Sequence, residues 1–116
     1  MTLYKLNDQT EFSHKPKIRL LTETPFSKEI QICLGEGALM KEHKAPGAIT
    51  IELFSGCIEL GSPDSSTLMK PGDIAVFEAN ILHSLLAKEN SIVRLSLSKN
   101  DTITRVQNLV IKGKTP

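Results

Sequence analysis

A chain of 116 residues, 40% of them hydrophobic, is long enough to form one domain with its own core. A net charge of +1 and few aromatic residues argue against a surface that binds nucleic acid. The N-terminus lacks the apolar core and cleavage site of a signal peptide, and no apolar run approaches the length of a membrane span. We therefore predict a cytoplasmic protein with no nucleic-acid and no membrane partner.

Short β-type segments separated by turn residues follow a lead-in at residues 1–16. About eight are predicted, at residues 17–23, 28–34, 39–43, 48–54, 57–60, 73–78, 81–87 and 91–97. Lys88-Glu89-Asn90 is expected to form the hairpin turn before the last segment. Because no long helix competes, the sequence predicts an all-β fold: a sandwich, an open barrel or a jelly roll.

The alternation of residue types predicts which side chains face the core. In the segment 48–54, Ile49, Ile51 and Leu53 share one face and should be buried, while Thr50 and Glu52 lie opposite. The same rule groups four residues of the segment 81–87 on one inward face: Ile81, His83, Leu85 and Ala87.

The tail at residues 100–116 carries two competing patterns. A helical stripe is formed by Ile103, Val106 and Leu109 or Val110, and Asn100 or Asp101 would cap it. The β-branched content favours a strand instead. We expect a short helix or an extended arm that packs on the barrel.

Two stretches, residues 37–56 and 71–87, each combine one histidine with a turn and a strand. Their sequences are GALMKEHKAPGAITIELFSG, which contains His43, and PGDIAVFEANILHSLLA, which contains His83. The pair resembles the two motifs of the cupin family, and the resemblance extends over residues 28–98.

The first cupin motif runs Gly, five residues, His-x-His, three or four residues, Glu, six residues and Gly. In this chain Gly37, His43 and Gly56 fit that frame without a gap. Ala45 stands in the place of the second histidine, and Ile49 stands in the place of the glutamate.

The second cupin motif runs Gly, five residues, Pro-x-Gly, two residues, His, three residues and Asn. Gly72 and His83 fit this frame. Glu78 replaces the proline, Asn80 replaces the second glycine, and Ala87 replaces the final asparagine.

The resemblance implies a single-domain jelly-roll barrel, or double-stranded β-helix, over residues 1–116, with its core at about 28–98. It also implies a pocket inside the barrel, for which the expected lining is His43, Ala45, Ile49, Ile51, His83 and Leu85. In metal-binding cupins both motif-one histidines, the glutamate and the motif-two histidine hold one divalent ion. This chain keeps only His43 and His83, which makes these two the candidate metal ligands.

Three interpretations of the histidine pair stay open. The pair contacts a small polar ligand in a metal-free pocket, or consists of buried core residues without a function. Alternatively, it binds a divalent metal (Fe, Mn, Ni or Zn) together with a third donor. The candidates for that donor lie outside the motif positions: Gln31, Cys33, Glu36 and Glu42.

The leading hypothesis is therefore a small-molecule-binding or sensing module with an apolar pocket. The alternatives are a metal-dependent enzyme, of oxygenase or isomerase type, and a purely structural or interaction protein. No catalytic residue is assigned, because Ser84 adjoins His83 on a strand and the two should face opposite ways.

A homodimer is also expected, because Phe54, Leu82 and Leu86 fall on faces opposite the lumen and such apolar faces suggest a partner surface. The N-terminal segment or the tail would cover them otherwise. Cys33 and Cys57 lie in apolar runs and are expected to be small buried thiols, with a disulfide as the alternative.

Overall fold

The computed structural model describes residues 1–99, 101, 103 and 106–109, and within these residues the chain forms nine strands. In chain order they are β1 (Lys17–Glu23), β2 (Ser27–Leu34), β3 (Leu39–His43), β4 (Ile49–Ser55), β5 (Ile58–Gly61), β6 (Ser66–Met69), β7 (Ile74–Phe77), β8 (His83–Ala87) and β9 (Ser91–Ser98). The all-β prediction is confirmed.

The tail forms a helix at its described residues, Ile103 and 106–109, which confirms the helical alternative there. The predicted cap Asn100 and the stripe residue Val110 lie outside the described residues. In the part of the chain that is described, no helix has the length and apolar character needed to cross a membrane.

Over the described residues, the strands form two antiparallel sheets. One has the order β1-β2-β9-β4-β7, and the other has the order β3-β8-β5-β6. The chain passes from one sheet to the other at most connections, so the two sheets close around a shared interior.

The connection at Lys88-Glu89-Asn90 does not close a hairpin, and that prediction was wrong. The strand before it, β8, pairs with β3 and β5, whereas β9 after it pairs with β2 and β4. The turn therefore crosses between sheets. The buried Ser91 secures the crossing, because its hydroxyl contacts the carbonyls of Cys57 at 3.2 Å and Glu89 at 2.8 Å.

The inner faces of both sheets carry the core. In β4, Ile49, Ile51 and Leu53 are 4%, 1% and 0% exposed, while Thr50 and Glu52 on the other face are half-buried. The predicted alternation is confirmed there. Burial of each such side chain contributes roughly 1.5–3 kcal/mol to stability.

In the segment 81–87 the prediction fails for Ile81, which is 40% exposed and precedes the strand. The reason is a turn: Asn80 has φ +65°, and the N–H of Ile81 donates to the carbonyl of Glu78. His83, Leu85 and Ala87 are buried as expected.

The N-terminal segment covers part of the outer face of the five-stranded sheet. Gln31 is fully buried there, and its amide nitrogen donates to the carbonyls of Leu6 and Asp8, both at 2.8 Å. Its side-chain oxygen accepts from Nε of Arg19 at 3.1 Å. The cysteines are free thiols, Cys33 buried and Cys57 partly exposed.

Candidate functional site

A β-bulge in β3 turns His43 toward the interior. The register with β8 shifts between Met40 and His43, so β3 carries one extra residue there. Strict alternation from Met40, which is 3% exposed, would turn Glu42 inward. The bulge leaves Glu42 exposed and places His43 directly opposite His83.

The two imidazoles are in contact. Their ring centroids are 4.2 Å apart, and the ring planes meet at 68° in an edge-to-face arrangement. The ring of Phe77 stacks on His83 with centroids 4.8 Å apart. His83 is 2% exposed and His43 is half-buried, so the pair lies at the wall of the barrel interior.

Backbone carbonyls fix the orientation of both rings. Nδ1 of His43 lies 2.6 Å from the carbonyl oxygen of Lys41, and Nδ1 of His83 lies 3.1 Å from that of Ile81. A carbonyl accepts only, so each Nδ1 carries a hydrogen and donates it. In the neutral form of each ring, the lone pair is then on Nε2.

A cavity of about 10 Å³ adjoins the pair. Apart from His43 and His83, every described side chain that lines it is apolar, and these side chains come from β2, β3, β4, β8, β9 and the tail helix. The tail contributes Val106 and Leu109. A buried water needs about 10–15 Å³, so this cavity has room for about one water.

The structure brings most of the predicted pocket residues together. His43, Ile49, Ile51, His83 and Leu85 line the cavity. Ala45 is buried at 3% exposure but is not among the lining residues. Instead, its carbonyl accepts a hydrogen bond of 2.8 Å from the N–H of Asn80, which ties the two motifs together.

Sequence reasoning missed two contributors to the site. Phe77 shares the inward face of β7 with Ala75, so the alternation in residues 73–78 could have identified Phe77 as an inward-facing residue. Val106 was predicted to pack on the barrel, but its place inside the cavity depends on how the tail folds back, which no local pattern contains.

The proposed third metal donors lie elsewhere. Gln31 is engaged on the outer face, Cys33 is on that same face, and Glu36 and Glu42 are exposed. Among the described residues, no three His, Cys, Asp or Glu side chains are grouped to hold a metal ion. Two imidazoles alone do not fit a zinc or non-haem iron site, since each of these metals takes at least three protein donors.

A second polar cluster lies outside the barrel, on the five-stranded sheet. Arg94 bridges two carboxylates: its Nη1 lies 2.7 Å from Glu29 Oε1 and its Nε lies 2.8 Å from Glu52 Oε1. The hydroxyls of Ser27 and Ser96 both donate to Glu29 Oε2 at 2.7 Å. These four hydrogen bonds connect β2, β4 and β9 across the outer face of the sheet, which marks the cluster as a structural brace.

These contacts shift two pKa values. Burial alone would raise the pKa of Glu29, but hydrogen bonds from Ser27, Ser96 and Arg94 outweigh desolvation and lower it below its usual value. The hydrogen bond to Glu52 raises the pKa of Arg94, with a smaller contribution from Glu29.

Two antiparallel sheets wound around an apolar interior define the class: the chain has the cupin fold, a double-stranded β-helix. The resemblance to cupins found in the sequence is confirmed for the fold. No family model and no curated protein matches the chain.

The fold of the chain is similar to that of several solved structures. A Klebsiella pneumoniae protein with a double-stranded β-helix domain is 21% identical, with a TM-score of 0.76 over 88% of this chain and 94% of its own. An RmlC-like cupin from Desulfovibrio desulfuricans is 18% identical, with a TM-score of 0.76 over 84% and 96%. One from Shewanella frigidimarina is 15% identical, with a TM-score of 0.71 over 84% and 91%. Identities of this size establish a common fold and no function.

Proposed function

We propose that this protein is a cupin-type module that binds or senses a small molecule in its barrel and works without metal-dependent catalysis. The observation that carries the proposal is the contact between His43 and His83 at a cavity whose other described lining side chains are all apolar. Small-molecule sites typically combine an apolar lining with a few placed polar groups, and this cavity has that composition.

The orientation of the rings supports the same function. Because each Nδ1 is bonded to a backbone carbonyl, both imidazole rings have fixed directions. Phe77 restrains the face of His83 by stacking. Anchors fixed in this way lose little conformational entropy when a ligand binds, which favours affinity.

The metal-dependent enzyme predicted as an alternative would need a further ligand beyond the pair. The purely structural alternative would need the histidines to act through packing alone. These two alternatives, the homodimer and the cytoplasmic location all stay predictions.

A thermal-shift screen of small molecules tests the proposal. The chain has no Trp and one Tyr, so unfolding is followed by circular dichroism or by an added dye. We expect a ligand that raises Tm for the native chain and for His14→Ala, a control at an exposed histidine, but not for His83→Ala. A purely structural role predicts that no ligand depends on His83.

Elemental analysis of protein purified without a metal-affinity tag decides between the proposal and the enzyme alternative. We expect less than one metal ion per chain. About one equivalent of Fe, Mn, Ni or Zn, lost in the double variant His43→Ala/His83→Ala and kept in His14→Ala, would overturn the proposal.

A further inference from the structure

A surface groove of about 310 Å³ lies over the outer face of the five-stranded sheet, outside the barrel. Its lining combines apolar and aromatic side chains with three polar ones: Tyr4, Leu6, Leu21, Thr22, Glu29 and Arg94. Small-molecule sites have volumes of about 300–1,000 Å³ and a mostly apolar lining with a few polar groups. The groove has both properties without any movement of the chain.

We propose that this groove binds a small neutral molecule that carries a planar amide on an apolar ring. Because the groove lies outside the barrel, binding there does not depend on the proposed function. Two apolar walls would hold the ring, and the Arg94–Glu29 pair at the groove would bind the amide.

A β-bulge in β1 builds one wall of the groove. The register with β2 shifts between Leu20 and Thr22, so β1 carries one extra residue, Leu21. Leu20 is paired with the inward-facing Ile30, and Thr22 is paired with the outward-facing Glu29. Strict alternation after Leu20 would turn Thr22 to the inner face. The bulge instead places Leu21 and Thr22 together on the groove.

The N-terminal segment forms the other wall, and hydrogen bonds hold it on the sheet. The buried amide of Gln31 donates to the carbonyls of Leu6 and Asp8, both at 2.8 Å. Nη2 of Arg19 donates to the same Asp8 carbonyl at 3.2 Å. Leu6 is thereby fixed beside the groove, and the ring of Tyr4 adds an aromatic surface on which a second ring can pack.

A hydrogen-bond donor and an acceptor stand side by side at the groove. Nη1 of Arg94 lies 2.7 Å from Glu29 Oε1, and Nε lies 2.8 Å from Glu52 Oε1. Nη2 has no acceptor among the residues that the structure describes, so the guanidinium has N–H groups left to donate. From those residues Glu29 Oε1 accepts one hydrogen bond, that of Arg94, and a carboxylate oxygen can accept two.

An amide matches this pair, because its carbonyl accepts from the guanidinium while its N–H donates to the carboxylate. A carboxylate ligand offers only acceptors and would be repelled by Glu29. An amidinium ligand offers only donors and would be repelled by Arg94. Benzamide, benzoate and benzamidinium share one planar shape and differ in charge and hydrogen-bonding groups, so these three molecules serve as probes.

The test titrates the full chain with each probe and follows Tyr4. The chain has one tyrosine, so its ring signals in a proton–carbon NMR spectrum belong to Tyr4 and report the groove directly. We expect benzamide to shift these signals with a Kd on the order of 1 mM, as is usual for a ligand of this size. Benzoate and benzamidinium should bind about tenfold more weakly.

Two adjacent leucines provide a matched pair of variants. Leu21 lines the groove, whereas Leu20 is paired on the other face and is 37% exposed. Leu21→Ala should weaken benzamide binding about fivefold, and Leu20→Ala should leave it unchanged. Arg94→Lys keeps the charge but loses the planar array of donors, so it should weaken binding about tenfold. If Arg94→Lys does not fold, the leucine pair decides.

Three results would overturn the site. Benzoate or benzamidinium that binds as tightly as benzamide would show that an amide is not what the pair selects. Equal weakening in Leu20→Ala and Leu21→Ala would show that the probe does not contact the bulge. Benzamide that leaves the Tyr4 signals unshifted well above 1 mM, or that shifts only the ring signals of His43 and His83, would show that the groove does not hold it.

Discussion

In the motif alignment, Ile49 stands at the position where metal-binding cupins carry a glutamate. It is 4% exposed and lines the same cavity as His43 and His83. Ile49→Glu should therefore add a carboxylate beside two oriented imidazoles. Two histidines and one carboxylate form a donor set that binds divalent iron and related ions. We expect this single substitution to create a metal site.

The cost without metal follows from the burial of Ile49. Losing a buried isoleucine costs about 2–5 kcal/mol in truncation series. An unpaired carboxylate in an apolar cavity adds several kcal/mol, or it is protonated instead. A domain of this size has only about 5–15 kcal/mol of stability, so the metal-free variant should be marginal.

Metal binding should restore much of the stability that Ile49→Glu loses. A ligand at 100 times its Kd stabilises the folded state by about 2.7 kcal/mol, which for this chain length means a rise of roughly 10 °C in Tm. The assay is thermal unfolding followed by circular dichroism, with Mn²⁺, Zn²⁺ or a chelator present. The same additions should leave the Tm of the native chain nearly unchanged.

Two controls make the result specific. Ile49→Gln places a similar shape without charge and should gain little from metal. Ile49→Glu combined with His83→Ala should lose the gain. If Ile49→Glu is folded at low temperature and its Tm does not respond to metal, residue 49 does not reach the imidazoles, and the motif alignment is wrong.

Two further predictions concern stability. Because the folded pKa of Glu29 is lowered, its carboxylate stabilises the fold above its unfolded pKa, and this contribution disappears as the pH falls through the folded pKa. Glu29→Gln should lower the free energy of unfolding at pH 7 by about 1–3 kcal/mol, measured by urea titration. Between pH 7 and pH 3 the variant should then lose less stability than the native chain. Equal losses in the variant and the native chain would contradict this. Gly56→Ala should cost several kcal/mol more than Gly72→Ala in the same titrations. Both glycines have positive φ, +94° and +96°, so the backbone strain of an alanine is similar at the two positions. A Cβ at Gly56, however, would lie 2.3 Å from Ser91 Oγ and 2.4 Å from the Asn90 carbonyl oxygen, whereas a Cβ at Gly72 would meet no atom within 4 Å. Equal costs would show that the contact at Gly56 relaxes freely.

Local patterns predict the strands and their inner faces because both depend on neighbouring residues. Alternation in β4 correctly assigns Ile49, Ile51 and Leu53 to the core. The match to the second cupin motif also has a physical explanation at position 80. Asn80 stands where the motif has glycine, and its φ of +65° lies in the left-handed region that glycine and asparagine tolerate best.

Long-range pairing explains what local patterns could not predict. The bulge that turns His43 inward is defined by its register with β8, which lies about 40 residues further along the chain. The crossing at 88–90 depends on sheet closure rather than on turn composition. The sequence pattern shows Gln31 only as a polar residue on one face of its strand. Its complete burial is explained by its hydrogen bonds to the N-terminal segment, which no local pattern contains.

Ile49 and the buried Val106 belong to one apolar lining. Both line one cavity that has room for about one water. A carboxylate at position 49 would be desolvated in this apolar lining at a cost of several kcal/mol, unless it were protonated or paired with a metal. With isoleucine there, burial of the side chain is favourable by about 25 cal/mol per Å² of apolar surface. In the motif alignment, the residue that replaces the metal ligand is therefore also the one that keeps the lining of this cavity apolar.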